Sequence, residues 1–265
     1  MGAAGAGLAS TISVIVGVIL SAWYFHKHEK YVAVRRELLR FKPEVWGRLL
    51  HIGLPVGLEF LLMSVVMAII YWVIRDFGAA AQAGFGVGQG VMRIIMLPAM
   101  AVAFASAPIA GQNFGARQPA RVRETFRWTV VISVILMFLL TVLCQFESNW
   151  FMHIFTNEAP VVEVGTLFLV ISSWNFAANA VIFSCSSMFQ AMGNTWPTIV
   201  ASAIRLVMFV VPALWLAARP GFELRHLWYV SVATMFLQAA VSYGLLRREF
   251  TRRLGPVALP SQQPV

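Results

Sequence analysis

The sequence predicts an all-α membrane protein with seven transmembrane helices, and three observations carry that prediction. Of its 265 residues, 59% are hydrophobic and only 12% are charged, whereas a water-soluble domain carries about 25% charged residues. Seven apolar runs are each long enough to cross a bilayer. The basic residues then fall mostly on one side of the topology those runs define. A soluble enzyme and a nucleic-acid binder are excluded on this composition. The net charge of +9, from 20 Lys and Arg against 11 Asp and Glu, belongs to basic loops at an anionic membrane face.

A hydrocarbon core about 30 Å thick needs roughly 20 apolar helical residues per crossing. The runs lie at 5–25, 50–74, 85–110, 128–146, 163–189, 197–217 and 227–246, and none shows the polar stripe of a water-facing helix. Met1 to Gly7 carry no Lys or Arg, and a basic cluster follows the first run. Residues 1–25 therefore read as a retained span with its N-terminus outside, not as a cleaved signal peptide. Residues 26–48 form a cytoplasmic linker in which Tyr31, Val34, Leu38 and Phe41 recur at helical spacing with Arg35, Arg36 and Arg40 between them, as in an interfacial amphipathic helix. Residues 49–250 hold the other six spans. Residues 251–265 form a cytoplasmic tail whose Pro256, Pro260 and Pro264 fit no periodicity and read as disorder.

Charge tests these assignments. One side collects Lys27, Lys30, Arg35, Arg36, Arg40, Lys42 and Arg48, then Arg117, Arg121, Arg123 and Arg127, then Arg247, Arg248, Arg252 and Arg253. The other side holds Arg75, Arg219 and Arg225, and Arg93 and Arg205 remain inside spans. The expected location is the plasma (bacterial inner) membrane, multi-pass, with the C-terminus cytoplasmic. Cys144 and Cys185 each sit in an apolar run outside any CxxC or Cys/His cluster. They read as small apolar packing residues, with no disulfide, metal site or cofactor motif expected.

Ionisable groups at membrane depth are the default functional candidates, and these are Glu59, Arg93 and Arg205. Each lies roughly 12–15 Å into the bilayer, counting about 1.5 Å per residue. Glu59 follows Pro55 by four residues, so a bend and a freed carbonyl at His51 lie near a carboxylate. In an apolar setting such a group can carry a proton or, as an anion, attract a lipophilic cation. That combination suits an exchanger. The alternative is a structural lock in which Glu59 pairs with Arg93 or Arg205. An arginine keeps its proton, so Arg93 and Arg205 serve as charge partners or as readers of anionic groups.

Asn175 and Asn179 share a face at i, i+4, as do Gln238 and Ser242, and Gln89 opens the third span. These residues line a wet cavity or bond between helices. Pro98 and Pro108 in the third span, Pro212 in the sixth, and Gly84, Gly86, Gly88 and Gly90 mark bent or closely packed helices, with Pro55, Pro98 and Pro212 the expected hinges. No Ser/His/Asp or HExxH constellation is present, and His153 and His226 have no partner at metal-ligand spacing. An enzyme is therefore not expected.

Several of these stretches resemble a known family. Gly84-Phe85-Gly86-Val87-Gly88-Gln89, then Pro98, then Gly111-Gln112-Asn113-Phe114-Gly115-Ala116 followed by Arg121, are similar to the eighth helix and following cytoplasmic loop of the multidrug and toxic compound extrusion (MATE) family. Gly53-Leu54-Pro55 leading into Glu59, Phe189 to Thr195, and Arg205 with Phe209 and Pro212 agree with it. The resemblance runs from the first span to about Arg253. It implies a cation-coupled antiporter that exchanges protons or sodium ions for organic, often cationic, compounds by alternating access between two six-helix bundles.

On this resemblance the chain supplies the sixth to twelfth helices: a six-helix C-terminal bundle plus the last helix of a missing N-terminal one. A separate chain with those missing helices is one way to complete the transporter, and an incomplete gene model and a decayed gene are the alternatives the sequence leaves open. Membrane lipids and the small-molecule cargo are the other expected partners. Two departures stand out. In some members the acidic residue of the seventh helix lies one turn beyond Glu59, where this chain has Met63. The basic residue usual two positions before the proline of the eleventh helix is Val210 here. Two alternatives stay open: a lipid-linked saccharide flippase of related architecture, and a non-transporting membrane fragment.

Overall fold

Apolar runs of this length have no low-energy form in a bilayer other than the helix, which satisfies every backbone group within the segment. The computed structural model describes residues 2–28 and 42–255, and among them no strand occurs. The helices are α1 (Gly2–His28), α2 (Pro43–Ile74), α3 (Ala79–Gly115), α4 (Pro119–His153), α5 (Ala159–Ser172), α6 (Asn175–Ala191), α7 (Trp196–Ala217) and α8 (Leu224–Leu254), with a 3-10 turn at Arg75–Phe77. The chain divides into two compact units, residues 1–49 and 50–265. In the first, every described side chain of α1 from Gly7 to Phe25 is exposed, as suits a helix surrounded by lipid or by other helices. The centre of the expected amphipathic linker and the tail beyond Gly255 lie outside the described residues.

One expectation needs correction. Residues 163–189 do not form one continuous helix: α5 and α6 qualify as a span only as a pair, bent by 56°. The six other spans are each a single helix long and apolar enough to cross. The break at Ser173–Trp174 contains neither proline nor glycine, so local sequence did not announce it. By contrast, α2, α3 and α7 continue through Pro55, Pro98, Pro108 and Pro212. In α4, Glu147 leaves helical geometry at φ −116°, ψ 17°, with no proline near it.

Helix ends in the second unit follow local chemistry. Glycine adopts a left-handed backbone without penalty, and Gly193, at φ +69°, lets Asn194 N–H reach back to Phe189 O at 3.0 Å and close α6. The α3 terminus makes the same reverse bond, Gln118 N–H to Asn113 O at 2.9 Å, through Arg117 at φ +55°. Pro119 then opens α4, where its missing N–H costs nothing. At the start of α8, the Glu223 N–H donates to His226 Nδ1 at 3.2 Å, one half of a capping box.

The core has two centres. Near one end, Trp228 of α8 stacks on Phe85 of α3 (5.3 Å, 8°) and meets Phe168 of α5 edge-on (4.9 Å), while Tyr71 of α2 meets Phe85 edge-on at 5.0 Å. Such pairs each add about 0.5–1.5 kcal/mol beyond area burial. At the other end, Ala110, Val122, Cys185, Met188, Phe189, Leu246 and Phe250 join α3, α4, α6 and α8. Cys144 and Cys185 are buried free thiols. Large apolar side chains such as Ile135, Phe138 and Leu139 on α4 face outward, which in a bilayer is contact with lipid.

Candidate functional site

Glu59 sits half-buried on α2, four residues past the buried Pro55. The Ser202 hydroxyl of α7 donates to Glu59 Oε1 at 3.3 Å. Gln238 of α8 in turn donates from Nε2 to Ser202 Oγ at 3.1 Å. Three helices thus meet in one polar seam. Thr198, one turn before Ser202, lies beside the carboxylate, but its proton is committed to Thr195 O at 2.7 Å. Thr195 itself donates to Ile52 O at 3.0 Å, a second tie between the start of α7 and α2.

Gln238 Oε1 of this seam is buried without a partner, and so is Nε of Arg205, three residues past Ser202 on α7. Buried orphans are uncommon, because an unmet donor or acceptor costs about 1–3 kcal/mol. Among the described residues the ion pairs are Arg75–Asp76, Arg225–Glu223 and Arg253–Glu249. Glu59 therefore pairs with neither Arg93 nor Arg205, and the lock weighed from sequence is not what the geometry contains.

The other sequence candidates are scattered. Gln89 is half-buried on α3 and makes no side-chain hydrogen bond among the described residues. Arg93, one turn later, is exposed beside Ile94 and Leu97. Asn175 and Asn179 do share a face, but they do not bond across to another helix. Asn179 Nδ2 donates to Asn175 O at 3.0 Å within α6, and Asn175 Oδ1 is buried without a partner at the α5–α6 break.

That break is held by residues the sequence reading missed. Gln145 of α4 donates from Nε2 to Val170 O and Ser173 Oγ, both at 2.7 Å. Thr141 Oγ1 reaches Ser173 O at 3.0 Å. Non-helical backbone survives at membrane depth only where protein groups satisfy it, and Thr141 and Gln145 perform that service. Their i, i+4 spacing in the fourth span was the available signal; Ser202 and Thr198, also i, i+4, were the equivalent one on α7. Gln145→Leu keeps the bulk and removes both bonds, so the thermal midpoint in detergent should fall, by roughly 1–2 kcal/mol of stability. An unchanged midpoint would show that the bend stands without Gln145.

The arrangement offers a carboxylate, hydroxyls and an amide oxygen at membrane depth, which are oxygen ligands suited to a proton or a hard monovalent cation. Among the described residues no three His, Cys, Asp or Glu side chains cluster as a metal site.

The family model MatE matches residues 55–216. The chain is 23% identical over 250 residues to the probable multidrug resistance protein YoeA of Bacillus subtilis (strain 168), covering 92% of this chain and 54% of that protein. It is 22% identical over 209 residues to the FAD transporter of Shewanella oneidensis, covering 78% and 46%. A solved outward-facing multidrug resistance MATE family transporter of the MOP superfamily superposes with a TM-score of 0.82 at 20% identity, over 92% of this chain and 55% of that one. The chain thus spans about half the length of the relatives it matches. The matched segment from Pro55 to Leu216 is more than half of the 265 residues, and the chain belongs to the MatE family of multidrug and toxic compound extrusion transporters.

Proposed function

We propose that this chain forms the cation-binding half of an antiporter that exports organic, often cationic, compounds in exchange for protons or sodium ions by alternating access. The observation that carries this reading is the Glu59 carboxylate, at membrane depth, bound by one hydroxyl at 3.3 Å and free of any ion pair. A carboxylate already paired with an arginine has its charge neutralised and none left to offer a cation. One that is held only by a neutral hydroxyl can exchange a small cation for a cationic cargo, and occupancy by one disfavours the other.

In this reading Glu59 takes the coupling ion, with Ser202 and Gln238 orienting it. Arg205, Gln89, Arg93, Asn175 and Asn179 are the further candidates for cargo or charge contacts, and Pro55, Pro98 and Pro212 the points where helices flex. The cleft needs a second six-helix bundle, carried either on a longer form of this chain or on a separate one. The site would work in the plasma (bacterial inner) membrane, with the basic ends of the helices cytoplasmic.

The test is counterflow. Vesicles containing the complete transporter, second bundle included, are loaded with a lipophilic cation and given an inward proton or sodium gradient in separate arms. Efflux that rises with one gradient and collapses when that gradient is dissipated is the expected result. Efflux indifferent to both gradients would end the antiport reading.

A further inference from the structure

The three arginines on the sparsely charged side each have a partner within the protein. Arg75 bonds Asp76 at 3.2 Å and covers the Trp72 ring, Arg219 lies 3.6 Å over the Trp215 ring, and Arg225 bonds Glu223 at 2.6 Å. At the opposite end, Arg253 of α8 is likewise engaged, by Glu249 and by Met192 O at 2.8 Å, and Arg123 of α4 donates to Gly255 O. Arg247, Arg248 and Arg252 are exposed and, like Arg117, Arg121 and Arg127, have no carboxylate, carbonyl or ring partner among the described residues; what sets them apart is that they lie together on one face of a single helix. With Gly244 and Thr251 they line an open groove on one face of α8.

The spacing of that groove, i, i+3, i+4, i+7, i+8, is a single helical stripe. Followed toward the membrane centre, the same stripe is exposed at Ala240, Leu237, Phe236 and Ala233. It is therefore apolar for about three turns, lined partly by small residues, and then capped by three unpaired guanidinium groups. A Cβ added at Gly244 would meet nothing within 4 Å, so the passage from the apolar to the basic segment is open.

We propose that this face of α8 is a binding site for one anionic phospholipid, its phosphate held by Arg247, Arg248 and Arg252 and its acyl chains lying along the stripe from Gly244 to Ala233. Guanidinium groups bind phosphate oxygens in paired, charge-assisted bonds, and basic clusters at the end of a membrane helix attract anionic headgroups. The length of the apolar stripe selects an amphiphile over free phosphate. Glu249, the acidic residue of α8 beside this groove, is already paired with Arg253, and residues 256–265 contain no Asp or Glu.

The test is native mass spectrometry of the purified chain in detergent with equal amounts of phosphatidylglycerol and phosphatidylcholine of identical acyl chains. The expected result is one retained phosphatidylglycerol, in roughly tenfold preference. Joint replacement Arg247→Gln, Arg248→Gln and Arg252→Gln should abolish the preference, while Arg75→Gln, Arg219→Gln and Arg225→Gln, the same loss of charge elsewhere, should keep it. Gly244→Trp leaves every charge in place and fills the groove, so it should also release the lipid even if the triple variant fails to fold. Glycerol phosphate, a headgroup without chains, should not compete. Equal retention of both lipids, a preference that survives the triple variant and Gly244→Trp, equal loss in the charge control, or displacement by glycerol phosphate would each overturn the assignment.

Discussion

Glu59→Gln is expected to abolish cation-driven efflux in vesicles of the complete transporter while leaving the fold intact. Glutamine keeps the shape and one acceptor oxygen for the Ser202 hydroxyl, but it has no charge to offer a cation. Interactions with a charged group of this kind contribute about 1.5–3 kcal/mol, or about 10- to 100-fold in cation affinity. Ser202→Ala should weaken coupling less, because it removes one neutral donor at 3.3 Å and leaves the carboxylate. The thermal midpoint separates this reading from a structural one. Removing one member of a buried ion pair costs about 3–5 kcal/mol, and Glu59 has no such partner, so Glu59→Gln should leave the midpoint nearly unchanged. Full coupling in Glu59→Gln would remove this residue from the mechanism.

Gly84→Val should be strongly destabilising to the second unit. A Cβ at Gly84 would lie 2.8 Å from Val161 O and 3.0 Å from Gly165 N, both backbone atoms of α5. Neither can turn aside, so α3 and α5 would have to separate, at a cost of about 3 kcal/mol. Two turns on, Gly90 has nothing within 4 Å of the same added atom. Gly90→Ala should therefore raise stability by about 0.5–1 kcal/mol through helix propensity alone. Melting of the two variants in one detergent reads the contrast directly, and similar midpoints would refute the close α3–α5 contact. Gly88 is intermediate: its added Cβ would strike Phe168, a ring already wedged between Phe85 and Trp228.

These glycines show how far the one-dimensional reading reached. Gly84, Gly86, Gly88 and Gly90 were visible as a motif, and a close approach was the natural inference. Which of them touches α5 depends on the rotation of α3 about its axis, and packing sets that rotation. Arg93 follows the same logic. Its position inside a span made it a buried candidate, yet it lies on an exposed face of α3, one turn beyond Gln89. Asn175 and Asn179 were legible as an i, i+4 pair, but the amide of Asn179 bonds the backbone of its own helix and not a neighbour.

Span number, helical class and the segregation of Lys and Arg were decided by the sequence alone, because they express how contiguous stretches of chain partition between oil, interface and water. Glu59 as a candidate came from the same source, since a carboxylate within an apolar run needs no structure to be noticed. The partners of that carboxylate and the break in the fifth span were decided by tertiary structure. Glu59 and its Ser202 donor are 143 residues apart, and Gln145 steadies the Val170 carbonyl 25 residues away. Bonds over such separations exist only after helices have chosen which faces to press together, and several apolar faces on each helix compete for that choice at nearly equal energy.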